Sequence, residues 1–308
     1  MTGTPVHLVA PRYELGEHCE DHRTIAALEE RTRKFGMQPM PELWGWGSVY
    51  RTDRGIEELA VAAGAACLAG AGVDPAGVDL LVLCSTRFPG GPDTHGSLVE
   101  GVVRGLGLSD PECVGVTLGR CTNLLAAIRL AEASVAAARV RRALVVTTDR
   151  IEDEALRVEK FALFSDGAAA CLVCAEPGPE GESYEITATA AAQLSAELDW
   201  SHEINPRLGQ LVNERIFAAC GVPVREVDGL LHPNLYTPIA VMKERQAGFS
   251  AAQLFTGNIP RLGHCFAADA LINLADRSAA GQLRAGGRYL LASSVPGSRV
   301  GVLLRREP

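Results

Sequence analysis

Leu118-Gly119-Arg120-Cys121-Thr122-Asn123-Leu124-Leu125-Ala126-Ala127-Ile128-Arg129-Leu130-Ala131 reads as a turn entering a helix. Leu124, Leu125, Ile128 and Leu130 form an apolar stripe at helical spacing in an Ala-rich run, and neither Gly nor Pro interrupts it until well past Ala138. Gly119 lets the backbone turn just before it. Cys121 therefore falls at the helix N-terminus, where free N–H groups and the helix dipole favour a thiolate and can hold an oxyanion. A buried structural cysteine is the competing assignment.

A second copy of the pattern weighs towards function. Leu262-Gly263-His264-Cys265 is followed by another Ala- and Leu-rich run, and at an offset of 144 residues the segments 118–136 and 262–280 agree at nine of nineteen positions. Residues 71–81 (Ala-Gly-Val-Asp-Pro-Ala-Gly-Val-Asp-Leu-Leu) also recur loosely at 220–231. The chain reads as two related halves of alternating helices and strands, divided at 1–176 and 177–308, with the linker at 177–182 (Pro-Gly-Pro-Glu-Gly-Glu). Buried strands alternating with helices indicate an α/β layered fold.

Composition narrows the function. The 308 residues, 47% of them hydrophobic, can bury a large core. A net charge of −8 gives no reason to expect nucleic acid as a partner. Nine scattered cysteines fit free thiols in a reducing cytoplasm, and Cys171-Leu172-Val173-Cys174 lies in an apolar run that points to packing instead of metal or redox work. No metal site, signal peptide or membrane-spanning stretch is expected.

Along the chain, a helix is expected at 24–33, a Gly/Pro-rich loop at 36–50, helices at 56–71 and 96–106, and strands at 78–84, 114–117, 142–148 and 168–174. The second half is expected to hold strands at 184–188, 229–232, 288–293 and 300–304, with a loop at 294–298. Trp44 and Trp46, in the first of these loops, either brace a ligand channel or seal the edge of the core.

Three further residues can do chemistry. His232 follows the strand ending Leu230-Leu231, at the strand end where α/β folds place reacting groups; a histidine that satisfies a loop carbonyl is the competing assignment. His264 lies beside the second-half copy of the Cys121 position. If the halves pack about a pseudo-twofold axis, it meets the Cys121 sulfur. Asp269 can orient that imidazole if His264 sits in a loop and Asp269 in the helical turn behind it; otherwise Asp269 is a first-turn acid favoured by the dipole.

These pieces resemble the ketoacyl-ACP synthase III group of the thiolase superfamily. The resemblance rests on Gly119-Arg120-Cys121, Ala143-Leu144-Val145-Val146 with Asp149, Leu163-Phe164-Ser165-Asp166-Gly167, Leu231-His232-Pro233-Asn234 and Leu262-Gly263-His264. It implies a thiolase-like fold of two duplicated half-domains in αβαβα layers and a cytoplasmic homodimer. It also implies a Cys121 nucleophile loaded from acyl-CoA or acyl carrier protein, with no resident cofactor. By the same resemblance His232 assists at the thioester, and the oxyanion is held by the N–H of Cys121 with one from Gly297 or Ser298; Asn234, Trp44 and Arg120 are the expected substrate contacts. The family's Asn is replaced by His264, with an acid five residues on. Members of that kind resemble acyltransferases of secondary metabolism, which move an acyl group to an oxygen or nitrogen acceptor. Decarboxylative condensation and a non-catalytic partner subunit are the alternatives. Pro296, which has no N–H, stands in a loop where the family carries glycines.

Overall fold

The computed structural model describes residues 4–307. The first half runs through β1 (His7–Leu15), β2 (His18–Asp21), α1 (Leu28–Lys34), α2 (Pro41–Trp44), β3 (Ser48–Arg51), α3 (Ile56–Ala71), β4 (Leu80–Cys84), α4 (Pro92–Leu106), β5 (Glu112–Val116), α5 (Asn123–Ala136), β6 (Arg142–Asp149) and β7 (Gly167–Cys174). The second half runs through β8 (Ser183–Gln193), α6 (Pro206–Cys220), β9 (Gly229–Leu231), α7 (Thr237–Gln246), α8 (Asn258–Leu262), α9 (Asp269–Ala279), β10 (Arg288–Val295) and β11 (Ser298–Arg306). The expected division at 176/177 falls in the connection between β7 and β8.

Strand order repeats between the halves. The large sheet reads β5-β4-β6-β7-β1-β8-β11-β10-β9. In the first half β4 is parallel to β6, β6 antiparallel to β7, and β7 antiparallel to β1. The second half repeats this with β9 parallel to β10, β10 antiparallel to β11, and β11 antiparallel to β8. Where the first half has β5 outside β4, the second has a single parallel bridge from Leu230 to Leu254. Three residue pairs, His7 to Val9 against Ser183 to Glu185, join the two sets.

Period-2 alternation builds the layers. In β4 and β6, Leu80, Val82, Cys84, Ala143 and Val145 face a central core, while Leu81, Leu83, Leu144 and Val146 face a separate one under α3 and α4. In β10 and β11, Tyr289, Leu291, Val300 and Val302 share the central core, while Leu290, Ala292 and Leu303 pack under α6. Leu124, Leu125 and Ile128 of α5 and Leu271, Ile272 and Leu274 of α9 fill the centre. The outcome is the five-layer αβαβα arrangement. Both halves also turn from helix to strand alike: α3 ends at left-handed Gly72 and α6 at left-handed Gly221, each followed by one 3₁₀ turn before the strand.

Several local expectations change. The helix expected at 24–33 is split between a 3₁₀ turn at His22–Thr24 and α1. The loop expected at 36–50 contains α2 and most of β3, because Pro41 opens a helix instead of breaking one. The loop expected at 294–298 is a hairpin in which Val295 pairs with Ser298 around Pro296 and Gly297. The repeat register also shifts. Asn123 Oδ1 accepts from Gly119 N (2.8 Å) and Asp269 Oδ1 from Cys265 N (2.7 Å). Arg120 and Phe266 share positive φ values of 54° and 52°. Both pairs lie 146 residues apart, so Ala267 and not Cys265 stands where Cys121 stands in the first half. All nine cysteines are free. Among the described residues no helix is long and apolar enough to cross a membrane.

Candidate active site

The N-termini of α5 and α9 meet at the centre, and the chemistry sits in the turns that lead into them. Cys121 occupies the one-turn 3₁₀ segment Arg120–Thr122 before α5, and Ser293 Oγ donates to its carbonyl (2.8 Å). His264 precedes α9 and is clamped by the Leu163–Ser165 segment, with which it forms an isolated parallel bridge through Phe164. Its N–H donates to the Leu163 carbonyl (2.8 Å), and its carbonyl accepts from Ser165 N (3.0 Å). Gly263 makes that approach possible: its φ is +65°, and a Cβ there would lie 2.8 Å from the Leu163 oxygen.

From this clamp His264 Nε2 reaches Cys121 Sγ at 3.4 Å. On the other side of the ring, Nδ1 meets Asp269 Oδ2 at 2.5 Å. All three side chains are buried. Asp269 is held by N–H donors from Cys265 (2.7 Å) and Asn234 (2.6 Å), so its orientation does not depend on the histidine. Burial works against an imidazolium here, but the Asp269 carboxylate and the Cys121 sulfur overcome it and push the His264 pKa up to about 10. Phe164 packs on the imidazole at 4.9 Å between ring centroids.

Two cavities meet at the sulfur. One, of about 290 Å³, is lined by Cys121, His264, Lys243, Ile239, Leu235 and Ser294. The other, of about 360 Å³, is lined by Cys121, Arg120, Ile151, Leu156, Phe164 and Phe266. Lys160, Phe161 and Trp200 border both. Phe161 and Trp200 stack with only 3° between their planes, and Arg120 lies 4.4 Å over the Trp200 ring. Arg120 Nη2 also donates to the Pro296 carbonyl (2.9 Å).

The other expected site residues fall as follows. His232 is fully buried, with Nδ1 2.9 Å from the Pro233 carbonyl and Nε2 unpartnered; burial drives its pKa down. Asn234 lines neither cavity. It braces Asp269, and its side-chain oxygen accepts from Asn273 (3.1 Å). Trp44 lines neither cavity: its indole donates to the Gln38 carbonyl (2.7 Å) and its ring packs on Tyr236. Gly297 and Ser298 also lie outside both cavities. The Gly297 carbonyl accepts from Leu194 N (2.8 Å), and Ser298 pairs with Gln193, so the turn residues reaching the cavity are Ser294, Val295 and Pro296. Cys265 is buried in the core, its thiol pushed well above the usual range by burial. Glu17, His18 and Asp53 form an exposed cluster of possible metal ligands that lines neither cavity.

Sequence reading missed Trp200, Phe161 and Lys243. For Lys243 a compositional signal was present, since it is one of only three lysines among 29 basic residues, and Lys160 at the cavity border is another.

Residues 117–201 match the family model for 3-oxoacyl-[acyl-carrier-protein (ACP)] synthase III. Curated β-ketoacyl-[acyl-carrier-protein] synthase III proteins from Rhodospirillum rubrum and Streptomyces coelicolor are 38% and 35% identical over 131 and 133 residues. Those matches take in 41% and 42% of this chain and span only about two fifths of each relative's length, 39% and 40%. The fold is shared end to end with ChlB3, described as an acyltransferase (TM-score 0.84, 17% identity, 98% of both chains). It is shared likewise with Xanthomonas campestris OleA (0.79, 16% identity, 99% of both). A third match is the FabH 3-oxoacyl-(acyl carrier protein) synthase III of Xanthomonas oryzae (0.79, 16% identity, 99% of this chain and 100% of that one). The chain thus shares its fold, with repeated halves in αβαβα layers, with these proteins from end to end, and over residues 117–201 it is similar in sequence to the 3-oxoacyl-[acyl-carrier-protein (ACP)] synthase III family.

Proposed function

We propose that this chain is an acyltransferase of secondary metabolism. In this reading it loads an acyl group from a coenzyme A or acyl-carrier-protein thioester onto Cys121 and passes it to the hydroxyl or amine of a small acceptor. The observation that carries the reading is the continuous contact from Cys121 Sγ through His264 to Asp269, 3.4 Å on one side of the ring and 2.5 Å on the other.

In the first step His264 takes the Cys121 proton and the sulfur attacks the thioester carbonyl. The oxyanion faces the N–H of Cys121 at the mouth of α5. Collapse breaks the bond to the pantetheine sulfur, which leaves with the proton from His264. The acyl-enzyme then presents no anionic sulfur to His264, so one of the influences raising its pKa is gone and the ring becomes a base. In the second step the acceptor's oxygen or nitrogen attacks the acyl carbonyl as His264 removes its proton. The C–S bond breaks, and Cys121 recovers that proton. Asp269 holds the ring and carries its charge in both steps. The cavity without the base, beside Phe164 and Phe266, suits the acyl chain. No resident cofactor takes part; the thioester is a substrate.

Intact-mass measurement after incubation with an acyl-CoA panel tests the first step, with Cys121→Ala expected to stay unmodified. Acylation of that variant would reject the nucleophile. Failure of every CoA-bound and carrier-bound donor would favour a non-catalytic partner subunit. The buried, unpartnered Nε2 of His232 favours one rival, a ketosynthase in which both histidines hold the enolate of a malonyl thioester. Carbon dioxide released from malonyl-CoA would decide for it.

A further inference from the structure

Lys243 lines the Cys121 cavity yet has no part in the chemistry above. Its side chain is buried, with only 6% of the residue exposed, and Nζ has no hydrogen-bond partner. It lies 2.9 Å from Glu244 Oε1, within ion-pair range but outside hydrogen-bond geometry. Glu244 is already satisfied: Arg299 grips both carboxylate oxygens, each at 2.9 Å, and also donates to Ser294 Oγ (3.0 Å). The buried group of Lys243, Glu244 and Arg299 thus holds two cations and one anion, and the surplus cation is the one on the wall of the cavity.

A surplus buried charge is costly unless an anion completes it. We propose that Lys243 anchors a carboxylate on the acyl acceptor, setting its hydroxyl or amine against the acylated Cys121. A carboxylate fits better than a phosphate. One lysine balances one negative charge, whereas a dianion would face the Glu244 carboxylate with half its charge uncompensated. The acceptor is chosen because Lys243 shares its cavity with His264, the base, while the second cavity at Cys121 contains neither residue. Burial draws the Lys243 pKa down while Glu244 and, more weakly, the Cys121 sulfur hold it up, and Arg299 opposes the charge; a bound carboxylate adds a further influence in favour of the ammonium.

Only the choice of acceptor over donor rests on the acyl-transfer reading, so two measurements separate the ideas. The first needs no turnover: alkylation of Cys121 by iodoacetamide is followed by mass in the presence of butyrate or its neutral isostere butyramide. Butyrate should protect roughly tenfold to a hundredfold better, the range expected for a charge-assisted hydrogen bond. Lys243→Met should erase the difference and Lys243→Arg should keep part of it. Equal protection of the wild-type protein by the two probes overturns the proposal, whatever the folding of the variants, and so does a difference that survives in Lys243→Met. The second measurement follows consumption of the acyl-enzyme by β-alanine and by n-propylamine. β-Alanine should react at least about tenfold faster in wild type only. A carboxylate preference seen instead in loading, as succinyl-CoA over butyryl-CoA, overturns the assignment to the acceptor. A protein that never acylates fails the acyltransferase reading, while the alkylation arm still judges Lys243.

Discussion

At the scale of single residues, the proposed reaction divides its work among the Cys121, His264 and Asp269 side chains, and each can be tested alone. Asp269→Asn keeps the size of the side chain but removes the charge that raises the His264 pKa. Transfer from a preformed acyl-enzyme should fall by about 10²–10⁴-fold, measured as loss of the acyl mass after acceptor is added. Asp149 tests the fold in place of the chemistry. It is buried at the end of β6, where it accepts from Thr86 N (2.6 Å) and Ser85 Oγ (3.1 Å), and burial raises its pKa to about 7. Its folded pKa exceeds that of an unfolded Asp, so its stabilising contribution is complete below about pH 4 and is lost as pH rises through about 7. Asp149→Asn can accept the same two hydrogen bonds without ionising. Its melting temperature should therefore fall less than wild type between pH 4 and 8, and should be higher at pH 8, by scanning calorimetry. These roles were unevenly legible. The five-residue spacing of His264 and Asp269 could be read from the chain, because it puts one residue in a turn and the other at the next helix start. The bracing role of Asn234 could not, since its partners come from α9.

At the scale of elements, the turn into α9 is decisive. Gly263 has φ +65° and ψ −158°, a region almost closed to other residues, and its missing side chain admits the Leu163 carbonyl. Gly263→Ala should destabilise the fold by about 1–3 kcal/mol in urea unfolding. It should also slow acyl transfer by lifting His264 off its clamp; normal transfer in a folded variant would show that the clamp is dispensable. α3 was readable to the residue because its Ala-rich run is bounded by Gly55 before it and by left-handed Gly72 after it. Proline-led starts misled: Pro41 and Pro92 open α2 and α4, at a position where the missing N–H costs nothing. The repeat itself was legible, but its register was not. Matching Ala and Leu at an offset of 144 competes with the backbone equivalence at 146, which is set by the Asn123 and Asp269 side chains capping their own turns. The cysteine and the histidine meet because the two helix starts meet, and not because their motifs align.

At the scale of the whole molecule, the sheet has two ends, and they differ. β9 has three residues and is partly screened by the bridge to Leu254, whereas β5 has five and leaves its outer edge unpaired. Along that edge Glu112, Cys113 and Gly115 are exposed, and a largely apolar cavity formed with Phe88, His95 and Leu98 lies beside it. Leu118, just beyond the strand, is 94% exposed. An open edge next to exposed apolar surface invites another strand, and β5 is guarded only at its start, by exposed Glu112 and the Pro111 before it. Pairing of two copies through β5, the arrangement expected of a homodimer, would cover Leu118 three residues before Cys121. Light scattering with size exclusion should then give twice the 32.6 kDa chain mass for wild type. Leu118→Glu should shift the mass towards one chain and also slow acylation of Cys121, because the turn into α5 loses its outer support. A wild-type monomer, or a Leu118→Glu protein that remains a dimer, would remove β5 as the interface and leave Leu118 without an assigned partner.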